Sequence, residues 1–152
     1  MLRSRTTVKP GLLLQPFVLS QLGGLLIEQM VEGLDITPSE FALTSWANVN
    51  GDATPTELSR ELGLAPTTLS AMIERLVRKG QLRRVRHPED GRSYVVTTTA
   101  KGRATQAAVT KRFFPVISRI RAHLAADEEE VLATMRILEE ALRSTLQGEG
   151  PA

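Results

Sequence analysis

The stretch Thr54–Gly102 decides the fold, and it reads TPTELSRELGLAPTTLSAMIERLVRKGQLRRVRHPEDGRSYVVTTTAKG. Its first four residues, Thr54-Pro55-Thr56-Glu57, match a capping box that has proline at the first helical position. Gly63 is expected to end this short helix, because glycine takes a positive φ after a last helical turn. Pro66 then begins a second helix. Two helices joined by a short turn that contains glycine predict a helix-turn-helix at about residues 54–79.

The second helix of this motif has one apolar face and one polar face. The apolar face repeats at helical spacing and consists of Leu69, Met72, Ile73, Leu76 and Val77. The opposite face carries short polar side chains at its N-terminal end and two arginines, Arg75 and Arg78, further along. A helix that enters the major groove by its N-terminus needs short side chains near base edges and cations near phosphates. For the helix alone, an ordinary solvated face is the alternative interpretation.

A basic hairpin follows the helix-turn-helix. Leu82–Arg86 and Tyr94–Thr97 predict two strands, and Pro88–Gly91 predicts the turn between them, so the wing covers about residues 82–98. Five basic residues lie on or near it: Arg83, Arg84, Arg86, His87 and Arg92. Gly91 is expected to supply a positive φ, and Asp90 to orient the Arg92 guanidinium. A helix-turn-helix with such a wing is a winged helix, whose cationic tip can reach phosphates or a narrow minor groove.

At this point the chain resembles the MarR family of bacterial winged-helix regulators. The resemblance rests on five segments: Glu57-Leu58-Ser59, Gly63-Leu64, Arg75–Gly80, His87–Arg92 and Val95–Gly102. The chain departs from the family pattern at Thr98, where leucine usually precedes the capping threonine, and at Ala71, where many members carry arginine. The resemblance implies that the arginine at position 92 enters the minor groove and that the aspartate at position 90 holds it.

The resemblance also implies a homodimer that binds double-stranded DNA at a pseudo-palindromic operator, usually as a repressor. The residues expected to contact DNA lie on the polar face of the second helix and on the wing: Pro66, Thr67, Thr68, Ser70, Arg75, Arg78, Arg84, His87, Asp90 and Arg92. The alternative is a winged-helix protein-interaction module without specific DNA binding. The arginine-rich wing argues against that alternative.

The remaining segments predict helices, so the expected fold is mainly α with a small β-hairpin wing. A second capping box, Thr37–Glu40, begins a helix that should end at Asn50-Gly51. Thr99 should cap a long helix that Pro115 kinks or splits. The last helix has a near-heptad seam of Val131, Met135, Leu138, Leu142 and Leu146. We expect one domain over residues 10–147, with a DNA-binding lobe at about 37–98 and dimerisation helices at about 10–34 and 99–147.

Composition indicates an ordinary globular chain in the cytoplasm. The 152 residues have a formal net charge of only +2, so the local cluster of arginines from 75 to 92 is the stronger indication of nucleic acid. There is no cysteine, which removes disulfides and thiol-based oxidant sensing. Residues 1–9 are basic and Pro10–Ile27 are uncharged, but glycines and polar residues interrupt that run. We therefore expect neither a signal peptide nor a membrane anchor.

No catalytic or metal-binding constellation is present in the sequence, so an enzyme is not expected. The phosphate-binding and nucleophile-elbow glycine motifs are missing, and the only histidines are His87 and His123. The acidic run 127–130 is a typical helix start, and neither a metal nor another cofactor is expected. The resemblance implies a small aromatic or phenolic effector between the dimer helices and the winged helix. Apolar residues that could line such a groove are Phe17, Trp46, Met72 and Phe113.

Overall fold

The computed structural model describes residues 11–148, which form six helices and one two-stranded sheet. In chain order these are α1 (Leu14–Val31), α2 (Pro38–Asn50), α3 (Pro55–Leu62), α4 (Pro66–Arg78), β1 (Leu82–Arg86), β2 (Tyr94–Thr98), α5 (Ala100–His123) and α6 (Glu128–Gln147). The expected fold class, mainly α with a β-hairpin wing, is confirmed. Within residues 11–148 no helix is long and apolar enough to span a membrane.

Local capping explains where α2 and α3 begin. At α3 the Thr54 hydroxyl accepts from the Glu57 N–H at 3.2 Å, and the Glu57 carboxylate accepts from the Thr54 N–H at 2.8 Å. The same reciprocal pair opens α2 between Thr37 and Glu40. Both capping boxes satisfy main-chain donors that a helix leaves open at its start. Gly63 ends α3 at φ 63°, in the left-handed region expected from the sequence.

The chain divides into two compact units. Residues 24–114 form the winged-helix unit, which contains α2 to α4 and the hairpin as well as parts of α1 and α5. The described residues 11–23 and 115–148 form the terminal unit. The DNA-binding candidates all belong to the winged-helix unit.

The winged-helix unit is built on one apolar core that holds α4 against the hairpin. Of the predicted buried stripe of α4, Leu69, Met72, Ile73 and Leu76 are buried, and Val77 is half-buried against the same core. They pack with Leu43, Leu58, Leu82 and Val96 from the neighbouring elements. The strands pair antiparallel in a register that runs from Leu82 opposite Thr98 to Arg86 opposite Tyr94. Ala53 adds a bridge to Val96, with a 2.8 Å hydrogen bond from the Val96 N–H, which ties the α2–α3 loop to the wing.

The start of α5 packs directly against the chain that leaves α4. Thr99 caps α5 as expected, because its hydroxyl accepts from the Gly102 N–H at 3.0 Å. A Cβ placed on Gly102 would overlap the Gln81 carbonyl oxygen and lie 2.9 Å from Thr98 Cγ2. Only a residue without a side chain therefore fits at position 102. Thr98, at the position where the resemblance expects leucine, is itself buried beside this contact.

The terminal unit leaves most of its apolar surface exposed. α5 runs unbroken through Pro115, so of the two expected effects of this proline the split is wrong, while the kink stays a prediction. α6 has no fully buried residue in this chain. Of the predicted seam, Val131, Leu138 and Leu142 are half-buried, whereas Met135 and Leu146 are exposed. Leu14, Phe17 and Leu22 of α1 are also exposed.

Candidate nucleic-acid interface

The N-terminal turns of α4 present the small polar surface that the sequence predicted. Pro66, Thr67, Thr68 and Ser70 are exposed, while Leu69 between them is fully buried and anchors the helix to the core. Because Leu69 is fixed, the neighbouring polar side chains point away from the core. This end of α4 can therefore approach the edges of bases without long side chains standing in between.

The start of α4 also lacks the side-chain cap found on α2, α3 and α6. The N-cap position is Ala65, which makes no side-chain hydrogen bond, and Pro66 occupies the first turn. The main-chain N–H groups of Thr67 and Thr68 therefore lack the side-chain acceptor that a polar cap supplies. An open helix N-terminus has positive character and free donors, both of which suit a phosphate.

Two arginines stand on the C-terminal half of α4, in different environments. Arg78 lies 3.6 Å from Glu74 one turn earlier, and both side chains are largely exposed, so the ion pair contributes little to stability. Arg75 instead donates from Nε to Glu40 Oε1 at 3.1 Å, across the gap between α4 and α2. Its two terminal amino groups make no hydrogen bond with the described residues. Arg75 is thus held at one edge of the guanidinium and open at the other.

Glu40 is the residue of this site that the sequence did not indicate. Its carboxylate is fully buried, and Oε2 accepts from Lys79 Nζ at 2.9 Å and from the Thr37 N–H at 3.0 Å. Burial alone raises the pKa of the Glu40 carboxyl, but hydrogen bonds from Lys79, Thr37 and Arg75 outweigh burial and hold the pKa below its usual range. Lys79 also pairs with Asp35 at 3.2 Å. This cluster ties Asp35 of the α1–α2 loop and Glu40 of α2 to the end of α4.

The arginines of the wing are arranged by the strand register. Arg84 and Arg86 lie on the same face of β1, because side chains alternate along a strand. The Arg84 guanidinium lies over the Tyr94 ring, 5.1 Å from its centroid, and this contact orients it. The Arg86 guanidinium lies against Gly91, where an added Cβ would be 2.5 Å from an Arg86 amino nitrogen. Gly91 has no positive φ, so the expected reason for glycine is wrong, and the Arg86 end group can move aside and does not itself require glycine there.

Two side chains shape the main chain of the wing tip. His87 Nδ1 accepts from the N–H groups of Glu89 and Asp90, at 3.2 and 3.1 Å. Asp90 Oδ1 accepts from the Arg92 N–H at 3.0 Å, which closes an Asx turn. Within residues 11–148 there is no ion pair between Asp90 and the Arg92 guanidinium, contrary to expectation. Asp90 therefore sets the backbone from which an exposed Arg92 side chain extends.

The four apolar residues predicted to line an effector groove have different surroundings. Met72 is only 2% exposed and belongs to the core, against which Trp46 packs. Phe113 is half-buried in the winged-helix unit, while Phe17 of the terminal unit is 60% exposed. An open groove of about 520 Å³ at the end of α1 is lined by none of them and runs from Leu25 to Pro38. The effector site stays a prediction.

The sequence of the winged-helix unit matches known proteins. Residues 36–94 match the model of the MarR family. The multiple antibiotic resistance protein MarR of Salmonella typhimurium is 31% identical over 88 residues, which cover 58% of this chain. The same protein of Escherichia coli K12 is 33% identical over 79 residues, 52% of this chain. The matched part spans 61% and 55% of the length of these two relatives.

Solved structures extend the likeness to most of the chain. The PcaV transcriptional regulator of Streptomyces coelicolor, solved in complex with its natural ligand, is 26% identical with a TM-score of 0.75, and the match covers 93% of this chain and 99% of PcaV. A mutant MarR of E. coli complexed with operator DNA is also 26% identical, with a TM-score of 0.71, over 84% of this chain and 90% of that one. Sequence and fold agree: the family model, the curated relatives and the solved structures that this chain matches are all MarR-type winged-helix regulators.

Proposed function

We propose that this protein is a sequence-specific DNA-binding repressor that binds a pseudo-palindromic operator as a homodimer in the cytoplasm. One observation carries the proposal. The winged-helix unit combines a recognition helix that has short exposed side chains and an uncapped N-terminus with a wing that bears four arginines. This combination provides both kinds of contact that specific binding requires, to base edges and to phosphates. A role of this kind requires no catalytic step.

The distribution of charge supports DNA as the partner. The chain has a net charge of only +2, yet Arg83, Arg84, Arg86 and Arg92 lie within ten residues on the wing. Only Arg84 among them has a ring contact, and none of the four pairs with a carboxylate in the described part of the chain. Unneutralised guanidinium groups on a protruding hairpin suit a polyanion. Each phosphate that they neutralise should steepen the slope of the logarithm of the binding constant against the logarithm of salt concentration by about 0.9.

The exposed face of α6 supports the homodimer. At about 100° per residue, Ala133, Ile137 and Ala141 lie on the side of α6 opposite the predicted seam. Ile137 is 72% exposed, and small residues flank it in an open groove of about 600 Å³. Arg136 and Glu140 border the same groove without pairing to each other. In an antiparallel two-fold contact, Arg136 would face Glu140 of a second copy, so the surface is complementary to itself.

We also propose a small aromatic or phenolic effector that alters DNA binding. The support is the likeness to PcaV, which was solved with its natural ligand and matches 93% of this chain. This sequence contains no cysteine, so a thiol switch is not available to it. An effector acts only by its difference in affinity for the DNA-competent and DNA-incompetent states. Titration of phenolic acids against the operator complex would test this part of the proposal.

Selection of bound duplexes from a random pool tests the DNA-binding proposal directly. We expect enrichment of an inverted repeat whose half-sites are about one helical turn apart, because two-fold symmetry repeats the recognition helix at that spacing. Sedimentation at micromolar concentration should give twice the 16.7 kDa of the chain. Retention of DNA without any enriched sequence, or no retention at all, would instead favour a winged-helix module that binds proteins.

A further inference from the structure

The buried carboxylate of Glu40 has a more specific arrangement than a helix cap requires. The capping box uses only one of its hydrogen bonds, from the Thr37 N–H to Oε2. The other oxygen, Oε1, accepts from Nε of Arg75, which is 35 residues away in sequence and belongs to α4. A fully buried carboxylate is costly unless it is paired, and here the pairing reaches the face of α4 that carries the DNA-contact candidates.

The bond from Nε decides which edge of the Arg75 guanidinium remains available. A guanidinium has several donors in a fixed plane, and Nε takes part in the edge next to the aliphatic stem. With Nε on Glu40, the two terminal amino groups point away from the stem and make no hydrogen bond within residues 11–148. The Arg75 side chain is 44% exposed, so this end is accessible. Two parallel N–H donors at the end of a guanidinium match two oxygens of one phosphate.

The position of Arg75 on the helix fits a phosphate contact. Thr68, Ala71 and Arg75 are spaced at i, i+3 and i+7, and therefore lie on one face of α4. At 1.5 Å per residue, Arg75 is about 10 Å along the axis from Thr68, which stands in the first turn. If the first turn approaches base edges, a side chain at this distance reaches the sugar-phosphate backbone at the border of the groove.

We propose that Glu40 is a positioning residue for DNA binding, which acts by holding Arg75 in the orientation that a backbone phosphate accepts. This inference rests on the proposed function. A flexible arginine loses conformational freedom when DNA orders it, and that loss weakens binding. Glu40 fixes the Arg75 side chain in the folded protein, so the entropic cost of ordering that side chain falls on folding and not on DNA binding. Lys79 forms ion pairs with both Glu40 and Asp35 and so balances part of their negative charge.

The sign of the effect separates positioning from simple electrostatics. Removing a negative charge near DNA raises affinity if only Coulomb repulsion counts. Positioning predicts the reverse, since Glu40→Gln keeps the shape but weakens the hold on Arg75. Glu40→Asp keeps the charge and shortens the reach by one methylene, so it tests orientation with no change of net charge. Asp35→Asn is the matched control, because it removes a carboxylate from Lys79 but leaves the Arg75 contact intact.

The experiment titrates the operator obtained by selection, and a scrambled duplex, with the full chain and its variants at several salt concentrations. We expect Glu40→Gln and Glu40→Asp to weaken operator binding by about twofold to tenfold, the range for ordering one long side chain. Asp35→Asn should not weaken it. Arg75→Ala should weaken it further and lower the salt slope by about 0.9 for the lost phosphate. Adding Glu40→Gln to Arg75→Ala should then cause no additional loss.

Three results would overturn the inference: operator binding by Glu40→Gln that equals or exceeds that of the unchanged chain, an undiminished effect of Glu40→Gln in the Arg75→Ala background, or unchanged affinity for Arg75→Ala. The second would mean that Glu40 acts through the fold rather than through Arg75. Thermal melts show which variants fold, and Glu40→Asp replaces Glu40→Gln if the latter does not. If the unchanged chain binds no selected duplex, the proposed function itself fails, which is distinguishable from these outcomes.

Discussion

Substitution of Gly102 by alanine should destabilise the protein, although alanine is the better helix former. Gly102 lies in the first turn of α5, where its position gains about 1 kcal/mol of helix propensity from the change. The added Cβ would overlap the carbonyl oxygen of Gln81, three residues after the end of α4. Propensity and packing therefore predict opposite signs at this one position.

The packing penalty should exceed the gain in propensity. The overlapping atoms must separate by about 1 Å to reach ordinary contact, and the oxygen belongs to the main chain, which cannot rotate away. Overpacking of this kind costs about 1–3 kcal/mol, and a main-chain neighbour favours the upper end. Subtracting about 1 kcal/mol of propensity leaves a net loss of about 2 kcal/mol. For a chain of this length that loss corresponds to a melting temperature lower by about 4–8 °C.

Calorimetry or circular dichroism melts at one fixed protein concentration would measure the change, since a dimer melts at a concentration-dependent temperature. Ala104→Gly is the matched control, because Ala104 is exposed in the same helix and reports propensity alone, with an expected loss of about 1 kcal/mol. A melting temperature for Gly102→Ala equal to or above that of the unchanged chain would refute the reasoning. It would show that α4 and α5 separate without cost.

Three further predictions concern DNA binding and acid stability. Arg92→Ala should weaken operator binding on the order of tenfold at an unchanged melting temperature. Arg92→Lys should recover only part of the lost affinity, because a lysine is harder to dehydrate in a narrow minor groove. An unchanged affinity for Arg92→Ala would show that the wing tip takes no part in DNA binding. Thr67→Ala should alter the preference for the operator over other sequences by about 1–3 kcal/mol, whereas Arg78→Ala should weaken binding to all duplexes alike and lower the salt slope by about 1. Equal losses of affinity for operator and random DNA in both variants would contradict these separate roles. The pKa of the Glu40 carboxyl is below the usual 4.5, so the unfolded chain takes up this proton at a higher pH than the folded chain does. The stabilisation that Glu40 contributes is therefore present above pH 4.5 and is lost as the pH falls through the lowered pKa. Melts from about pH 5 to pH 3 should show a weaker pH dependence of the melting temperature for Glu40→Gln, and parallel curves for the two proteins would disprove it.

Signals that act over a few residues were sufficient to predict the elements. Thr54 with Glu57, and Thr37 with Glu40, define helix starts because each hydrogen bond closes within four residues. Gly63 defines a helix end for a similarly local reason. The helix-turn-helix, the two strands and the order of helices were therefore predictable, and the structure confirms them.

Contacts between distant segments were not predictable from one sequence. Glu40 was identified as a helix cap, but nothing local indicates that it would also meet Arg75 and Lys79, which lie 35 and 39 residues later. The predicted roles of the side chains at the wing tip were wrong for a related reason. The pattern Asp-Gly-Arg suits both a carboxylate that orients a guanidinium and one that accepts from the main chain, and the choice depends on where the strands place each side chain. The sequence indicated a turn at Asp90 and Gly91, but the roles expected for these two residues are not the ones that the structure shows.

The acceptor at position 87 has a consequence for how such wings can vary between related chains. The turn needs an acceptor atom two bonds beyond Cβ, which imidazole Nδ1 supplies to the N–H groups of Glu89 and Asp90. The side-chain oxygen of asparagine or aspartate stands at the same distance along the chain, whereas glutamine reaches one bond too far. Among homologues, position 87 should therefore exchange histidine for asparagine or aspartate and exclude lysine and arginine, even though Arg83, Arg84, Arg86 and Arg92 surround it in this chain.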